Sequence, residues 1–364
     1  MSPGYFEIIS GTKRGPVAGV ARLGLGLLSA FYGAAVGLRN CAYDLGILKT
    51  ERVGVPVVSL GNLTTGGTGK TPVAAALAAR LLKTGLKPAI VSRGYHADAS
   101  GKNDEARVLE CLVPEALQVQ NPDRVAGANQ AIKEGGTVVL LDDGYQHRRL
   151  HRDFNFLLID AIEPFGYGRL LPRGLLRESL RGVRRADLVL VTRADLVSDD
   201  RLSEISARLN RFGCRAPVVR VAFEPTRLVS HSGRDLALSQ LTDKKVLAFC
   251  GLGNPEGFRQ TLAPLVGVLS QEQRLVFPDH HHYTERDCAE IVRRARDCGA
   301  DSLITTLKDL VKIRRDDLDG INLYALETGI RILSGEVHWN EMISRVLELT
   351  RTVNREKDVA HRPC

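Results

Sequence analysis

The residues best suited to chemistry form a glycine-rich segment, TTGGTGKT, over residues 64–71. Glycines let backbone N–H groups face an anion, and the segment stands between a β-branched run and a run with helical spacing, as in a P-loop. The usual pattern begins with glycine, whereas this variant begins with Thr64. The residues predicted to bind ATP are Thr64, Thr65, Gly66, Gly67, Thr68, Gly69, Lys70 and Thr71. Lys70 is expected to reach the β- and γ-phosphates, and the Thr71 hydroxyl to bind Mg²⁺.

An acidic pair, Asp142-Asp143, ends the apolar run TVVLL. A P-loop needs a carboxylate at the end of a neighbouring strand to hold its metal ion. Two adjacent acids repel each other in a partly dry site unless a cation lies nearby. We therefore assign Asp142 to Mg²⁺, and Asp143 to Mg²⁺ or to the phosphate acceptor. A strand-end turn is the alternative interpretation.

Near the N-terminus, Leu23–Leu38 is uncharged and apolar. As a helix it would be about 24 Å long, shorter than the roughly 20 residues that a bilayer core requires. Basic residues flank it on both sides: Lys13, Arg14, Arg22 and Arg39. These features predict a helix at the membrane surface that binds anionic lipid headgroups. The alternative is a helix buried against the main domain, with close approach at Gly33 and Gly37.

The 364 residues carry a net charge of +8 and seven cysteines without ligand spacing. Basic excess suits nucleic acid, anionic lipid or phosphorylated small molecules, but no nucleic-acid-binding signature is present, so a nucleic-acid partner is not expected. The scattered cysteines are typical of reduced thiols in a cytosolic protein.

Alternating strand and helix patterns predict an α/β protein, with a P-loop NTPase-type parallel sheet covered by helices on both faces and a second, smaller α/β lobe. Strands of the first domain are predicted at Val55–Leu60, Lys87–Ser92, Thr137–Asp142, Asn155–Asp160 and Asp187–Thr192. The predicted divisions are a membrane-associating segment (1–48), the nucleotide-binding domain (49–225), the smaller lobe (226–334), and a C-terminal helix and tail (335–364).

Several blocks in order resemble the tetraacyldisaccharide 4′-kinase family of lipid A biosynthesis. They are VSLGNLTTGGTGKTP, VSRGY, LLDDGYQHRRLHRD, GRLLPRGLLRE, FCGLGNPEGF, FPDHHHYT and TTLKDLVKI. The match runs from about residue 50 to residue 315. The resemblance implies a membrane-surface kinase with two lobes, at the cytoplasmic face of the inner membrane. It would transfer the γ-phosphate of ATP to the 4′-hydroxyl of a tetraacyldisaccharide 1-phosphate.

The resemblance also implies catalytic residues: Asp104 as the base and His280 as its partner, alongside Lys70. The flanking Gly and Pro of the family's pattern are replaced here by Asn103 and Ala106. Substrate contacts are predicted within the matched blocks for Arg93, Tyr95, Gln146, His147 and Arg177. Consecutive histidines point in divergent directions, so 280–282 is not expected to bind a metal.

Other interpretations stay open at this point. The stretch DLVLVTRAD, Asp187–Asp195, resembles the guanine-reading element of P-loop GTPases, so a GTPase or ATPase switch is an alternative. A nucleotide-sensing, membrane-associated adaptor is another. Lys308 and Lys312, four apart on a predicted helix, are interpreted as a solvated face.

Overall fold

The structure is a computed structural model that describes residues 3–94, 103–242, 244–252, 255–279 and 281–360. The chain divides into two compact units. The first contains Met1–Gly94, Glu115–Ala222 and Arg331–Cys364, and the second contains Tyr95–Pro114 and Phe223–Ile330.

Ten α-helices occur in the described residues. In chain order they are α1 (Pro3–Ser10), α2 (Pro16–Asp44), α3 (Lys70–Leu82), α4 (Asp104–Leu112), α5 (Arg124–Lys133), α6 (Asp199–Arg211), α7 (Pro255–Val266), α8 (Glu285–Asp297), α9 (Leu307–Ile313) and α10 (Glu336–Ala360).

The strands of the described residues are mostly short and apolar. They are β1 (Val57–Asn62), β2 (Pro88–Ser92), β3 (Leu117–Gln120), β4 (Val138–Asp142), β5 (Phe154–Asp160), β6 (Leu188–Thr192), β7 (Val218–Val229), β8 (Asp235–Leu236), β9 (Val246–Cys250), β10 (Arg274–Val276), β11 (Ser302–Thr306), β12 (Asp317–Leu318) and β13 (Ile321–Ser334).

The first unit is built on a parallel sheet in the order β3-β2-β4-β1-β5-β6-β7. Its central strands β1, β4 and β6 are buried along their whole length, as expected of strands covered on both faces. In register, Leu60 of β1 lies beside Asp142 of β4. The predicted fold class is therefore confirmed, and the carboxyl ends of β1 and β4 meet at one edge.

The second unit has a smaller parallel sheet, β10-β9-β11-β13, with β12 antiparallel to β13. Helix α4 belongs to this unit, because Val108 is buried in its core together with Leu307 and Leu310 of α9. The sequence predicted one uninterrupted nucleotide-binding domain over 49–225, whereas the segment that contains α4 belongs to the second unit. The physical reason is that the partners of α4 lie about two hundred residues later in the chain, where local patterns cannot reveal them.

Helix α2 is longer than its sequence pattern suggested. It has 29 residues rather than sixteen, or about 44 Å at the usual rise, because amphipathic turns extend the uncharged segment at both ends. By length and composition it is one helix able to cross a membrane, so the expectation that it is too short for a bilayer is wrong.

The middle of α2 packs on the first unit. The Ser29 hydroxyl donates to the Leu170 carbonyl at 2.9 Å, and the Tyr32 hydroxyl donates to the Arg177 carbonyl at 2.8 Å. A Cβ atom on Gly33 would lie 2.7 Å from Cδ1 of Leu170, whereas one on Gly37 would meet nothing within 4 Å. The close approach expected at both glycines therefore exists at Gly33 only.

This difference can be measured with a matched pair of variants. Gly33→Val should lower the free energy of unfolding by about 1–3 kcal/mol more than Gly37→Val, because only the first overpacks against Leu170. Both variants place the same β-branched residue in the same helix, so helix propensity cancels. Chemical denaturation in detergent provides the measurement, and equal stability of the two variants would contradict this packing.

Candidate active site

The glycine-rich loop joins the buried end of β1 to the first residue of α3. Gly66 and Gly69 have φ angles of 119° and 81°, which only glycine adopts without strain. Thr64 does not have a positive φ angle, so a β-branched residue fits at this first position of the loop. The Asn62 side chain donates to the Thr64 carbonyl at 2.7 Å, which fixes the entry to the loop.

The loop has the properties of an anion cradle. Among the described residues, the amides from Gly66 to Gly69 donate no backbone hydrogen bond. Thr68 is buried, and its hydroxyl has no hydrogen-bond partner in the described structure. Amides presented in this way at the start of a helix fit phosphate oxygens.

Lys70 lies between an amide and a carboxylate. Its Nζ atom is 3.1 Å from Oδ1 of Asn62 and 3.4 Å from Oδ1 of Asp143. Asp143 also accepts from Nη1 of Arg177 at 2.7 Å. Burial disfavours the charged carboxyl, but Lys70 and Arg177 outweigh it and the pKa of Asp143 is lowered. Asp143 is therefore an anion held by two cations.

The two acids of the pair differ in their surroundings. Asp142 is the buried last residue of β4, and its carbonyl accepts from the buried Arg124 at 3.5 Å. Asp143 has a φ angle of 50°, so the chain turns sharply after β4. Of the two acids, it is Asp143 that contacts Lys70. Thr71 lies half-buried at the second position of α3. Carboxylate and hydroxyl oxygens are the ligand types that Mg²⁺ takes beside nucleotide phosphates, so this donor set fits the ion.

Gln146 is held in the same region by a buried glutamate, Glu178, that sequence reasoning missed. Glu178 accepts from Arg185 at 2.7 and 2.8 Å, from Gln146 at 2.9 Å and from Asn40 of α2 at 3.2 Å. Gln146 also donates to the Asn62 carbonyl at 2.9 Å. Only the inclusion of Glu178 in the matched block GRLLPRGLLRE pointed to it.

The structure describes two of the three remaining residues that were predicted to contact the substrate. Arg93 is exposed after β2, and Tyr95 lies outside the described residues. His147 is half-buried, and burial together with the nearby Arg124, Arg152, Arg39 and Arg149 lowers its pKa to about 4. His147 is therefore neutral at physiological pH.

The predicted base Asp104 is the first residue of α4, in the second unit, and His280 lies outside the described residues.

Lys312 of α9 is 3.5 Å from Oδ2 of Asp104 and 3.8 Å from Oδ1 of the fully buried Asp309. The Lys312 side chain is 7% exposed, so its assignment to a solvated face is wrong. Lys308, 33% exposed, lies 3.8 Å from Glu105.

The lowered pKa of His147 has a consequence for stability. In the unfolded chain this histidine takes up a proton near pH 6.5, but in the folded chain only near pH 4. The unfolded state thus binds more protons in this window, and the contribution of His147 to stability is lost as the pH falls from about 6.5 to about 4. His147→Asn should flatten that decline in urea unfolding measured across the window. His231→Asn, at an exposed position, should leave the slope as in the wild type; an unchanged slope in His147→Asn would contradict the assignment.

Comparison with known proteins adds the family to this geometry. A family model described as tetraacyldisaccharide-1-P 4′-kinase matches residues 21–348. A tetraacyldisaccharide 4′-kinase of Anaeromyxobacter dehalogenans is 38% identical over 319 residues, covering 83% of this chain and 84% of the relative. One from Halothermothrix orenii is 34% identical over 358 residues, covering 88% and 91%. The crystal structure of LpxK from Aquifex aeolicus in complex with ATP is 31% identical with a TM-score of 0.72, covering 90% of this chain and 99% of that one. With a P-loop whose lysine meets a strand-end carboxylate, and with these matches over most of its length, the chain belongs to the tetraacyldisaccharide-1-P 4′-kinase family.

Proposed function

We propose that this chain transfers the γ-phosphate of ATP to the 4′-hydroxyl of a tetraacyldisaccharide 1-phosphate, a step of lipid A biosynthesis. Family membership supports the acceptor. The observation that carries the chemistry is the contact of Lys70 with Asp143 at the mouth of the glycine-rich loop. It gathers a phosphate-binding lysine and a strand-end acid in one place, as phosphoryl transfer requires.

On the nucleotide side, residues 64–71 bind the phosphates through their amides, with Lys70 at the β- and γ-phosphates. Thr71 and Asp142 would hold Mg²⁺, with Asp143 beside them, and the bound ion would supply positive charge to the phosphates. Arg177, held in place by Asp143 at 2.7 Å, keeps a second positive charge near the transferred group. In a loose transition state, this positioning and neutralisation supply most of the rate enhancement.

On the acceptor side, Asp104 accepts the proton of the 4′-hydroxyl, and His280 assists it. Asp104 stands in the first turn of α4, where a helix N-terminus favours a carboxylate. Lys312 lies 3.5 Å from Oδ2 of Asp104 and would hold the carboxylate in place. An ionised carboxylate is a weak base that accepts a proton late, which suits a path with a loose transition state.

The substrate contacts proposed for Arg93, Tyr95, Gln146, His147 and Arg177 have different support. Arg93 is exposed after β2, and its guanidinium is of the type that binds anionic groups of a substrate. Gln146 and Arg177 already donate to protein acceptors, so they would shape the surface that the disaccharide meets. His147 is neutral near pH 7 and would act as a hydrogen-bonding group rather than as a cation.

We further propose that α2 lies on the cytoplasmic face of the inner membrane. One face of the helix exposes large apolar side chains, most of them three or four residues from another: Val17, Val20, Leu23, Leu27, Leu28, Phe31 and Leu38. Its middle is fastened to the folded unit by Ser29 and Tyr32. A helix with its midpoint fastened to a folded domain suits an interfacial position better than a spanning one. Lys13, Arg14 and Arg39 are exposed near its ends and would attract anionic headgroups.

The reaction can be tested with purified chain in detergent, Mg²⁺, ATP labelled in its γ-phosphate and a tetraacyldisaccharide 1-phosphate. Label should move to the lipid, and GTP should be a poor donor. Lys70→Ala and Asp104→Ala should each lower kcat/KM by about 100-fold or more. Lys83→Ala, an exposed lysine that follows α3, is the matched control and should behave as the wild type.

Each component of the proposal can fail separately. A wild-type chain that binds ATP but labels no disaccharide would overturn the acceptor. Preference for GTP without any acceptor would favour a switch protein. An active Asp104→Ala variant would remove Asp104 from the role of base.

Membrane attachment is tested by co-sedimentation with vesicles of phosphatidylglycerol or of phosphatidylcholine. The full chain should bind the anionic vesicles more strongly, and less so at high salt. Phe31→Glu should weaken binding to both by about tenfold or more, because it places a charge on the apolar face. Val268→Glu changes an equally exposed valine in the second unit and should have no effect. Equal binding of the two variants would contradict a role for α2.

A further inference from the structure

The segment Thr192-Arg193, which follows the buried strand β6, touches the glycine-rich loop. The Thr192 hydroxyl lies 3.0 Å from the Thr68 carbonyl, and Nη1 of Arg193 donates to the Gly67 carbonyl at 3.1 Å. Two consecutive carbonyls of the loop are therefore held by two consecutive residues. The sequence resemblance of this segment to a base-reading element does not account for either contact.

The neighbouring strand fixes the arginine. Asp160 ends β5 and lies in register beside Thr192. Its Oδ2 atom is 2.5 Å from Nη1 of Arg193. Arg193 itself has a φ angle of 53°, a left-handed conformation that costs a non-glycine residue energy and persists where the surroundings enforce it. The ends of two adjacent strands thus position one guanidinium against the loop.

Peptide geometry gives these contacts a consequence. In a planar trans peptide the C=O of one residue and the N–H of the next point in opposite directions. Holding the Gly67 carbonyl toward Arg193 turns the Thr68 N–H away from it, and holding the Thr68 carbonyl toward Thr192 does the same for the Gly69 N–H. Among the described residues, neither amide donates a backbone hydrogen bond.

We propose that Thr192 and Arg193 are positioning residues that set the orientation of the Thr68 and Gly69 amides for binding a triphosphate. The inference rests on the proposed role of residues 64–71 in binding ATP. Thr192 is fully buried, so it acts through the loop rather than by touching a ligand. Its hydroxyl has one proton, and the Thr68 carbonyl at 3.0 Å is nearer than the alternative acceptor, the Ile159 carbonyl at 3.3 Å.

The experiment measures binding of ATP and of inorganic triphosphate, each with Mg²⁺, by calorimetry on the full chain in detergent. Thr192→Val keeps the shape of the side chain but removes the donor, and should weaken both ligands by about threefold to tenfold, the value of one net hydrogen bond. Thr192→Ser restores the donor and should restore affinity. Arg193→Ala should weaken both ligands at least as much. Arg201→Ala, a partly exposed arginine on α6, is the control and should bind both normally.

The turnover assay should show a raised KM for ATP in Thr192→Val, with the KM for the disaccharide unchanged. Wild-type affinity in Thr192→Val, or loss of ATP binding without loss of triphosphate binding in either variant, would overturn the proposal. Failure of Thr192→Ser to recover affinity would also overturn it. Because these titrations contain no acceptor, a wild type that binds triphosphate but phosphorylates no disaccharide would refute the proposed reaction alone. A wild type that binds neither ligand would refute the role of residues 64–71 and this inference with it.

Discussion

The ion pairs of Asp143 bring together residues of the candidate site that are far apart in the sequence of the first unit. Lys70 begins α3, Asp143 follows β4, and Arg177 comes from the segment that borders the loop. A half-buried carboxylate between two cations is stable as an anion, and removing either cation would leave charge in a partly desolvated place. The position of the loop lysine thus depends on a turn about seventy residues later in the chain and on an arginine beyond it.

The same segment links the site to helix α2. The Arg177 side chain binds Asp143, while its carbonyl accepts from Tyr32. The next residue, Glu178, is buried and accepts from Asn40, Gln146 and Arg185. A helix with an exposed apolar face is therefore joined by hydrogen bonds to the residues that surround the nucleotide loop. The proposed attachment to a lipid surface and the proposed phosphate site would therefore share one continuous set of contacts.

Local patterns predicted much of the first unit and the loop itself. Strand, glycine turn and helix are encoded by neighbouring residues, so α3 follows the glycine-rich segment directly, as the run with helical spacing indicated. The strand-end acids were predictable for the same reason. Which acid meets Lys70 was not, because that depends on the left-handed turn at Asp143. The partners of Glu178 come from three separate segments, and no local pattern connects them.

Lys312 shows most clearly what a single sequence conceals. Its spacing from Lys308 is that of a solvated helix face, yet Lys312 is 7% exposed beside Asp104 of α4, whereas Lys308 is 33% exposed beside Glu105. Helix α4 lies about two hundred residues earlier in the chain. Burial of a charge is decided by such distant packing, so the pairing of Lys312 with Asp104 and Asp309 emerges only from the fold.

Helix α10 has a consequence for how the chain matures on the ribosome. Trp339 of this helix packs on Phe156 of β5 with ring centroids 6.0 Å apart, and Met342, Ile343 and Val346 are buried beside it. The sheet that holds the nucleotide loop is synthesised before α10, so the part of β5 that Trp339 covers, with Phe156, stays exposed until α10 has been translated. During that interval the nascent chain exposes an aromatic surface together with the apolar face of α2, and both are surfaces that chaperones and membranes recognise.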